Sequence, residues 1–163
     1  MPIYTAISWV LTLILVSPWI ARVDPHTAVV YHLDLDVYRE GTKAFLHKQP
    51  VYQGPFAVRG INLPFIYPPF AALLFAPSAW MPLKQACLLI SLASVVLLWW
   101  LASVIVRALI PDLGLRQAMS VGSWIMPVLV LLSPVRETMH YGQIYTILLA
   151  LVVTDLLLPK NRR

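Results

Sequence analysis

The stretch GINLPFIYPPFAALLFAPSAWMPL, residues 60–83, decides how the chain is read. It runs for 24 residues without an Asp, Glu, Lys or Arg. A helix needs about 20 apolar residues to cross roughly 30 Å of hydrocarbon, so by length it qualifies as a span. It also contains Pro64, Pro68, Pro69, Pro77 and Pro82. Proline inside a helix removes a backbone donor, and its ring collides with the preceding turn. Pro69 can open a helix, where that donor is not needed. From there only about a dozen residues, Pro69–Trp80, can stay helical, which is too few to cross. The segment is expected to be a short interfacial or re-entrant helix.

On either side lie four other charge-free runs: Ile3–Ala21 (19 residues), Gln85–Val106 (22), Gln117–Val135 (19) and Thr138–Thr154 (17). They predict spans near 3–21, 85–106, 117–134 and 140–158. Ile3–Ala21 reads as an uncleaved signal-anchor helix, since no small-residue cleavage site follows it. The expected fold is an all-α integral membrane protein of about four transmembrane helices, in a single membrane domain over 1–163. Short juxtamembrane helices belong to one extracytoplasmic loop, 22–84. Composition agrees: 60% of residues are hydrophobic and 12% charged, against about 25% charged in soluble domains. Mean hydropathy is +0.76. Fourteen prolines and six tryptophans suit broken helices and interfacial anchors. The net charge of +5 is spread between apolar runs rather than gathered in one patch, so nucleic acid is not an expected partner. Cys87 is the single cysteine, so the chain has no intrachain disulfide, and no Cys/His spacing indicates structural zinc.

With four spans and the N-terminus inside, the loop Arg107–Arg116 and the tail Lys160–Arg163 are cytoplasmic. They carry five Lys/Arg, against Arg136 alone in the short outer loop, as the positive-inside rule asks. Five spans with the N-terminus outside fit the charge count as well. That alternative is set aside only by the motifs below.

The segment Arg22–Arg59 is the one long polar stretch, with Asp24, His26, His32, Asp34, Asp36, Arg39, Glu40, Lys43, His47 and Lys48 between its ends. Val37, Ala44 and Phe45 fall at helical spacings, which predicts a short amphipathic helix from about Asp36 to Lys48 lying on the membrane surface. In HLDLDVYREG (32–41), Asp34 and Asp36 would point about 200° apart on a helix, so only one can face a site. Near a bilayer a carboxylate needs a task or a partner. Either one also reads as a helix N-cap. In PVRETMHYGQ (134–143), Arg136, His140 and Gln143 would share one helical face, suited to a phosphate and hydroxyls. The same residues read as a polar turn with a snorkelling arginine. In FIYPPFAALLFAP (65–77), Tyr67 precedes a short apolar helix that could wall a lipid chain or a sugar, or simply anchor the chain at the interface.

In this order, DLDVYREG (34–41), PVY (50–52), YPPFAALLFAP (67–77) and PVRETMHYGQIYTILLALVVTDLLL (134–158) resemble the N-terminal part of the actinobacterial polyprenol-phosphate-mannose-dependent α-(1→2)-mannosyltransferases. These are type C integral-membrane glycosyltransferases of the bacterial plasma membrane. The resemblance implies an acidic base in the first extracytoplasmic loop, and its Asp-Leu-x-Val-Tyr pattern falls on Asp34, with Asp36 secondary. It implies a polyprenyl-phosphate-linked mannose or other hexose as donor and a lipid-linked glycan, a lipoglycan or glycolipid, as acceptor. Transfer would be inverting, outside the membrane. Arg39, Arg59, Arg136 and His140 are the candidate cations for the lipid phosphate, with Tyr67 and Gln143 as further binding residues. No acidic cluster demands a metal, and no cofactor is expected. Family members are longer, so a further, C-terminal half is an expected partner, together with membrane lipids. The alternative is a non-catalytic or truncated membrane subunit that binds lipid or a partner protein. A transporter fragment would want ionisable residues within the spans, and these spans carry almost none.

Overall fold

The computed structural model describes residues 2–21 and 32–157. Arg22, Asp24, His26 and the tail charges Lys160–Arg163, to which the topology argument appeals, lie outside the described residues. The elements in chain order are α1 (Pro2–Ala21), α2 (Leu33–Leu46), β1 (Phe56–Val58), β2 (Ile61–Leu63), α3 (Pro69–Leu74), α4 (Ala76–Trp80), α5 (Leu83–Leu109), α6 (Leu115–Leu131), α7 (Ser133–Tyr141) and α8 (Tyr145–Leu157).

The apolar helices pack in the order α1, α6, α5, α8, around Val16, Val95, Leu98, Leu101, Met126, Val130 and Met139. Small residues and polar side chains bring them together, as is usual where lipid supplies no hydrophobic drive between helices. A Cβ on Gly122 would lie 2.6 Å from Ser103 Oγ, so α5 and α6 touch nearly backbone to backbone. Ser8 Oγ donates to the Ser123 carbonyl (2.6 Å) and ties α1 to α6. Trp99 Nε1 donates to Ser123 Oγ (3.0 Å) and Trp100 Nε1 to Thr154 Oγ1 (3.2 Å). These two tryptophans therefore cross-link helices rather than serving only as interfacial anchors.

Among the described residues one helix, α5, is long and apolar enough to cross a bilayer alone. Its 27 residues extend the expected 85–106 at both ends. The expected 117–134 and 140–158 are interrupted. α6 stops at Leu131, and the chain bends by 77° into α7. Pro134, in the first turn of α7, cannot supply the amide that would continue α6. α8 begins only at Tyr145. The apolar parts of α1 (Ile3–Pro18) and α8 are each shorter than a full span. Where four spans are expected, the described residues hold one full-length apolar helix, a bent pair and two shorter apolar helices.

The polar segment departs further from expectation. The all-α reading is corrected by an antiparallel hairpin, β1–β2, pairing Phe56 with Leu63 and Val58 with Ile61. Arg59 (φ 49°) and Gly60 (φ 80°) form its two-residue connection. Positive φ at both positions is what a type I′ turn requires. The amphipathic helix expected at 36–48 is α2, three residues earlier at its start, and it is not laid on a surface. Leu35, Val37, Tyr38, Gly41, Thr42 and Ala44 are all buried, because β1, α3, α4 and α5 close around them. The single helix expected at Pro69–Trp80 is two short ones, α3 and α4, joined at Phe75.

Gly41 lets α2 meet the Phe65 ring, since an added Cβ would overlap Phe65 Cδ2 and Cγ. Gly41→Ala is expected to destabilise the protein by about 1–3 kcal/mol, the usual cost of overpacking. Thermal unfolding in detergent checks this, with Gly54→Ala as control, since a Cβ there meets nothing within 4 Å. Equal melting temperatures for the two variants would contradict the close packing of α2 on Phe65.

Candidate active site

The site is built at the first turn of α2. Its N-cap is His32, in the left-handed region (φ 58°, ψ 36°) and without a side-chain cap. Asp34 and Asp36 lie inside the helix, so neither is the N-cap, although both sit where the helix dipole favours a carboxylate. Two residues apart, they point away from each other and have different partners.

Asp36 turns inward. Its Oδ2 accepts from Arg59 Nε at 2.7 Å, and its Oδ1 lies 3.6 Å from Arg39 Nη1. Arg39 also donates from Nε to the Ser78 carbonyl (2.8 Å) and from Nη2 to the Met81 carbonyl (2.7 Å). The two arginines thus tie α2 to the hairpin and to the segment around α4. Arg39, expected to face a lipid phosphate, is buried and occupied by these carbonyls. Removing one partner of such a buried cluster typically costs about 3–5 kcal/mol, because a charge is left uncompensated.

Asp34 turns toward the α7–α8 turn. Its Oδ2 accepts from Gln143 Nε2 at 2.6 Å. α7 ends at Gly142, whose φ of 66° is the left-handed helix-terminating conformation. Gln143 therefore lies beyond the helix, and the shared face expected for Arg136, His140 and Gln143 does not form. Arg136 is exposed on α7. His140 stacks edge-on against Tyr141, with ring centroids 4.8 Å apart. Its carbonyl accepts the His32 amide at 2.7 Å, which joins the start of α2 to the end of α7.

One helical turn after Asp34 comes Tyr38, fully buried and stacked on Phe75 at 4.2 Å. Its hydroxyl shares a 2.8 Å hydrogen bond with that of Tyr67. Tyr52 donates to the Tyr67 carbonyl (2.6 Å). Burial pushes both the Tyr38 and Tyr67 phenols up, and the Asp34 charge pushes them further, so both stay protonated. Beside this cluster lies an apolar cavity of about 290 Å³, lined among others by Leu35, Phe75, Met81, Ile90, Ile144 and Ile147. Leu35 follows Asp34 in the chain and Ile144 follows Gln143, so the cavity wall and the carboxylate–amide pair are built by the same two stretches. Among the described residues no three His, Cys, Asp or Glu side chains gather to hold a metal.

Tyr38 and His32 were not singled out from the sequence. Tyr38 carried a usable signal, four residues after Asp34 and hence on its face of the helix. His32 carried only its place two residues before Asp34.

The sequence model of glycosyltransferase family 87 matches residues 65–163. The polyprenol-phosphate-mannose-dependent alpha-(1-2)-phosphatidylinositol mannoside mannosyltransferase of Mycolicibacterium smegmatis is 33% identical over 139 residues, covering 78% of this chain and 32% of that protein. The protein of the same description from Mycobacterium tuberculosis is 32% identical over 146 residues, covering 82% of this chain and 34% of its own length. The chain therefore spans about a third of the length of these curated relatives. No solved structure matches it.

Burial lowers the His32 imidazole from 6.5 to about 4, with Arg59 and His140 adding to the effect. In the unfolded chain it titrates near 6.5, so the unfolded state binds the proton first on acidification. Stability contributed by the neutral ring is present above about 6.5 and declines as the pH falls toward 4. Thermal unfolding in detergent, followed from about pH 7.5 down to about pH 5, should show this fall, and it should be shallower in His32→Asn. Parallel pH profiles for the two proteins would show that His32 is not the group responsible.

Proposed function

The chain belongs to glycosyltransferase family 87, and from that premise we propose that it carries the catalytic base of a membrane mannosyltransferase using a polyprenol-phosphate-linked donor. The acceptor is a hydroxyl of a lipid-linked glycan. What supports this reading is one juxtaposition: Asp34, paired with Gln143, stands beside an apolar cavity walled by Leu35 and Ile144.

The chemistry follows from that placement. An acceptor hydroxyl attacks the anomeric carbon of the mannose. Its proton passes to a carboxylate oxygen of Asp34 as the new carbon–oxygen bond forms. The bond to the donor phosphate breaks on the opposite side, and polyprenyl phosphate leaves with the electron pair. A single displacement of this kind inverts the anomeric centre and needs one base. The Gln143 amide holds Oδ2 and leaves Oδ1 for the hydroxyl. The leaving phosphate gains negative charge and is best stabilised by a cation placed to receive it. Arg136, exposed on α7, and His140 are the groups for this task. Arg39 and Arg59 instead hold the scaffold through Asp36. The protonated hydroxyl of half-buried Tyr67 is available to the sugar, and the apolar cavity accepts the first isoprene units of the donor.

The reading places residues 32–83 and 134–143 together on the extracytoplasmic side of a multi-pass plasma-membrane protein. The His32–His140 bond supports their lying on one side. With Cys87 replaced, a cysteine at position 53 should react with an impermeant reagent from outside, and one at position 113 should not. The reverse pattern would invert the topology.

In the full-length protein, Asp34→Asn should lower mannosyl transfer by about 10²–10⁴-fold, the usual range for removing a general base. The asparagine carbonyl can still accept from Gln143, but it takes no proton at neutral pH. Asp36→Asn should lower the amount of folded protein, because it uncouples Arg59 and Arg39, while transfer per folded molecule persists. Membrane assays with labelled donor, normalised to folded protein, separate the two effects. Near-normal transfer by Asp34→Asn would remove Asp34 from the mechanism and favour a non-catalytic subunit.

A further inference from the structure

We propose that His32 is a positioning residue of this site, holding the start of α2 and the α7–α8 turn in the one arrangement in which Asp34 and Gln143 meet. The effect on transfer rests on Asp34 being the base; the effect on geometry does not.

His32 is fully buried, and its contacts reach two other elements and the turn that follows one of them. Nε2 shares a 3.0 Å hydrogen bond with Ser91 Oγ on α5, itself buried. The amide N–H donates to the His140 carbonyl on α7 at 2.7 Å, and the His32 carbonyl accepts the Asp36 amide of α2 at 3.2 Å. The residue that anchors α7 is thus also the one from which α2 is launched. Its side chain and Cα press against Gly142, where a Cβ would fall 2.9 Å from Cδ2 and 3.2 Å from Cα. That glycine precedes Gln143, and His32 lies two residues before Asp34. A shift at His32 therefore moves both halves of the carboxylate–amide pair.

Ordinary core packing does not account for this residue. Its Nδ1 meets no hydrogen-bonding partner among the described residues, which costs stability in a buried imidazole. Its left-handed backbone is uncommon outside glycine, although histidine is among the residues enriched there. An apolar side chain in place of the ring would avoid the unsatisfied nitrogen but lose the bond to Ser91. The position combines an unsatisfied atom with backbone strain directly before the base, as expected where geometry is held for function. His32 touches neither reacting atom, so it acts through Asp34 rather than on the substrate.

The test uses the full-length protein in membranes with Cys87 replaced. Cysteines at positions 34 and 143 are bridged with a short bis-thiosulfonate, and cysteines at positions 42 and 72 form a second pair. The second pair reports α2 packing on α3, where Thr42 Oγ1 donates to the Ala72 carbonyl at 3.2 Å. His32→Asn, which tolerates the left-handed backbone, should reduce bridging of 34 to 143 several-fold and leave 42 to 72 unchanged. With Asp34 and Gln143 intact, the same variant should lower kcat by about 10–100-fold at unchanged donor KM, since small misplacements of a catalytic group cost rate rather than binding. Ser91→Ala should give a weaker form of both effects. Unchanged bridging of 34 to 143, or equal loss in both pairs, would overturn the positioning role. Selective loss of bridging with normal kcat would keep it and instead reject Asp34 as the base.

Discussion

The hydrogen bond from the His32 amide to the His140 carbonyl joins two stretches that the sequence keeps far apart. One stretch opens α2, under the hairpin and the short helices α3 and α4. The other closes α7, which the bend after Leu131 has turned away from the direction of α6. The polar segment is held to the apolar helices at this junction, by contacts between α2 and α5, and around the cavity. Beside this junction the Asp34 carboxylate meets the Gln143 amide, and the same two stretches supply Leu35 and Ile144 to the cavity wall. The 77° bend is what makes the junction possible. Had α6 continued straight, Gln143 would lie about 18 Å beyond Leu131 along the axis of α6, carried away by the direction that the bend avoids.

What could be read from the sequence was whatever depends on local chemistry. Prolines at 68, 69, 77 and 82 forbid a continuous helix through 60–83, and the chain obeys with two short helices. The two-residue spacing of Asp34 and Asp36 forces them apart on a helix, and they do face different partners. Long-range contacts were not readable. Arg39 looked like a free cation because nothing local shows that the Ser78 and Met81 carbonyls come to meet it. The helix at 33–46 looked amphipathic and superficial because the hairpin that covers it is only three residues per strand, marked by little more than Arg59–Gly60. Gln143 looked like part of a helical face because the spacing rule has no knowledge of where Gly142 ends the helix.

The same contrast explains the scaffold. A segment this polar beside an apolar bundle must satisfy its charges internally, and it does so by concentrating them on Asp36. One carboxylate draws in two guanidinium groups, and one of these, Arg39, in turn donates to the Ser78 and Met81 carbonyls. The hairpin turn, α2 and the chain leading into α5 are thereby tied to one another. Glu40 and Lys43, at the helix surface, pair with each other at 2.6 Å. An exposed pair of this kind adds little to stability, so of the segment's charged contacts it is the buried cluster that joins its elements, alongside the apolar contacts of Val37, Val58, Phe65 and Ala72.

This division of labour also argues for which carboxylate does chemistry. A carboxylate offers about four acceptor sites. Both oxygens of Asp36 face arginines in a buried setting, so an incoming hydroxyl would have to displace an ion pair to reach them. Asp34 has a neutral partner on one oxygen, and among the described residues its other oxygen carries no hydrogen bond. A neutral amide orients a carboxylate without setting a full positive charge against it. The phenols of Tyr38 and Tyr67, kept protonated by burial, add hydroxyl donors nearby without adding charge. The buried arginines tie the frame together through Asp36, while Asp34, the carboxylate proposed as the base, pairs with Gln143 beside the apolar cavity.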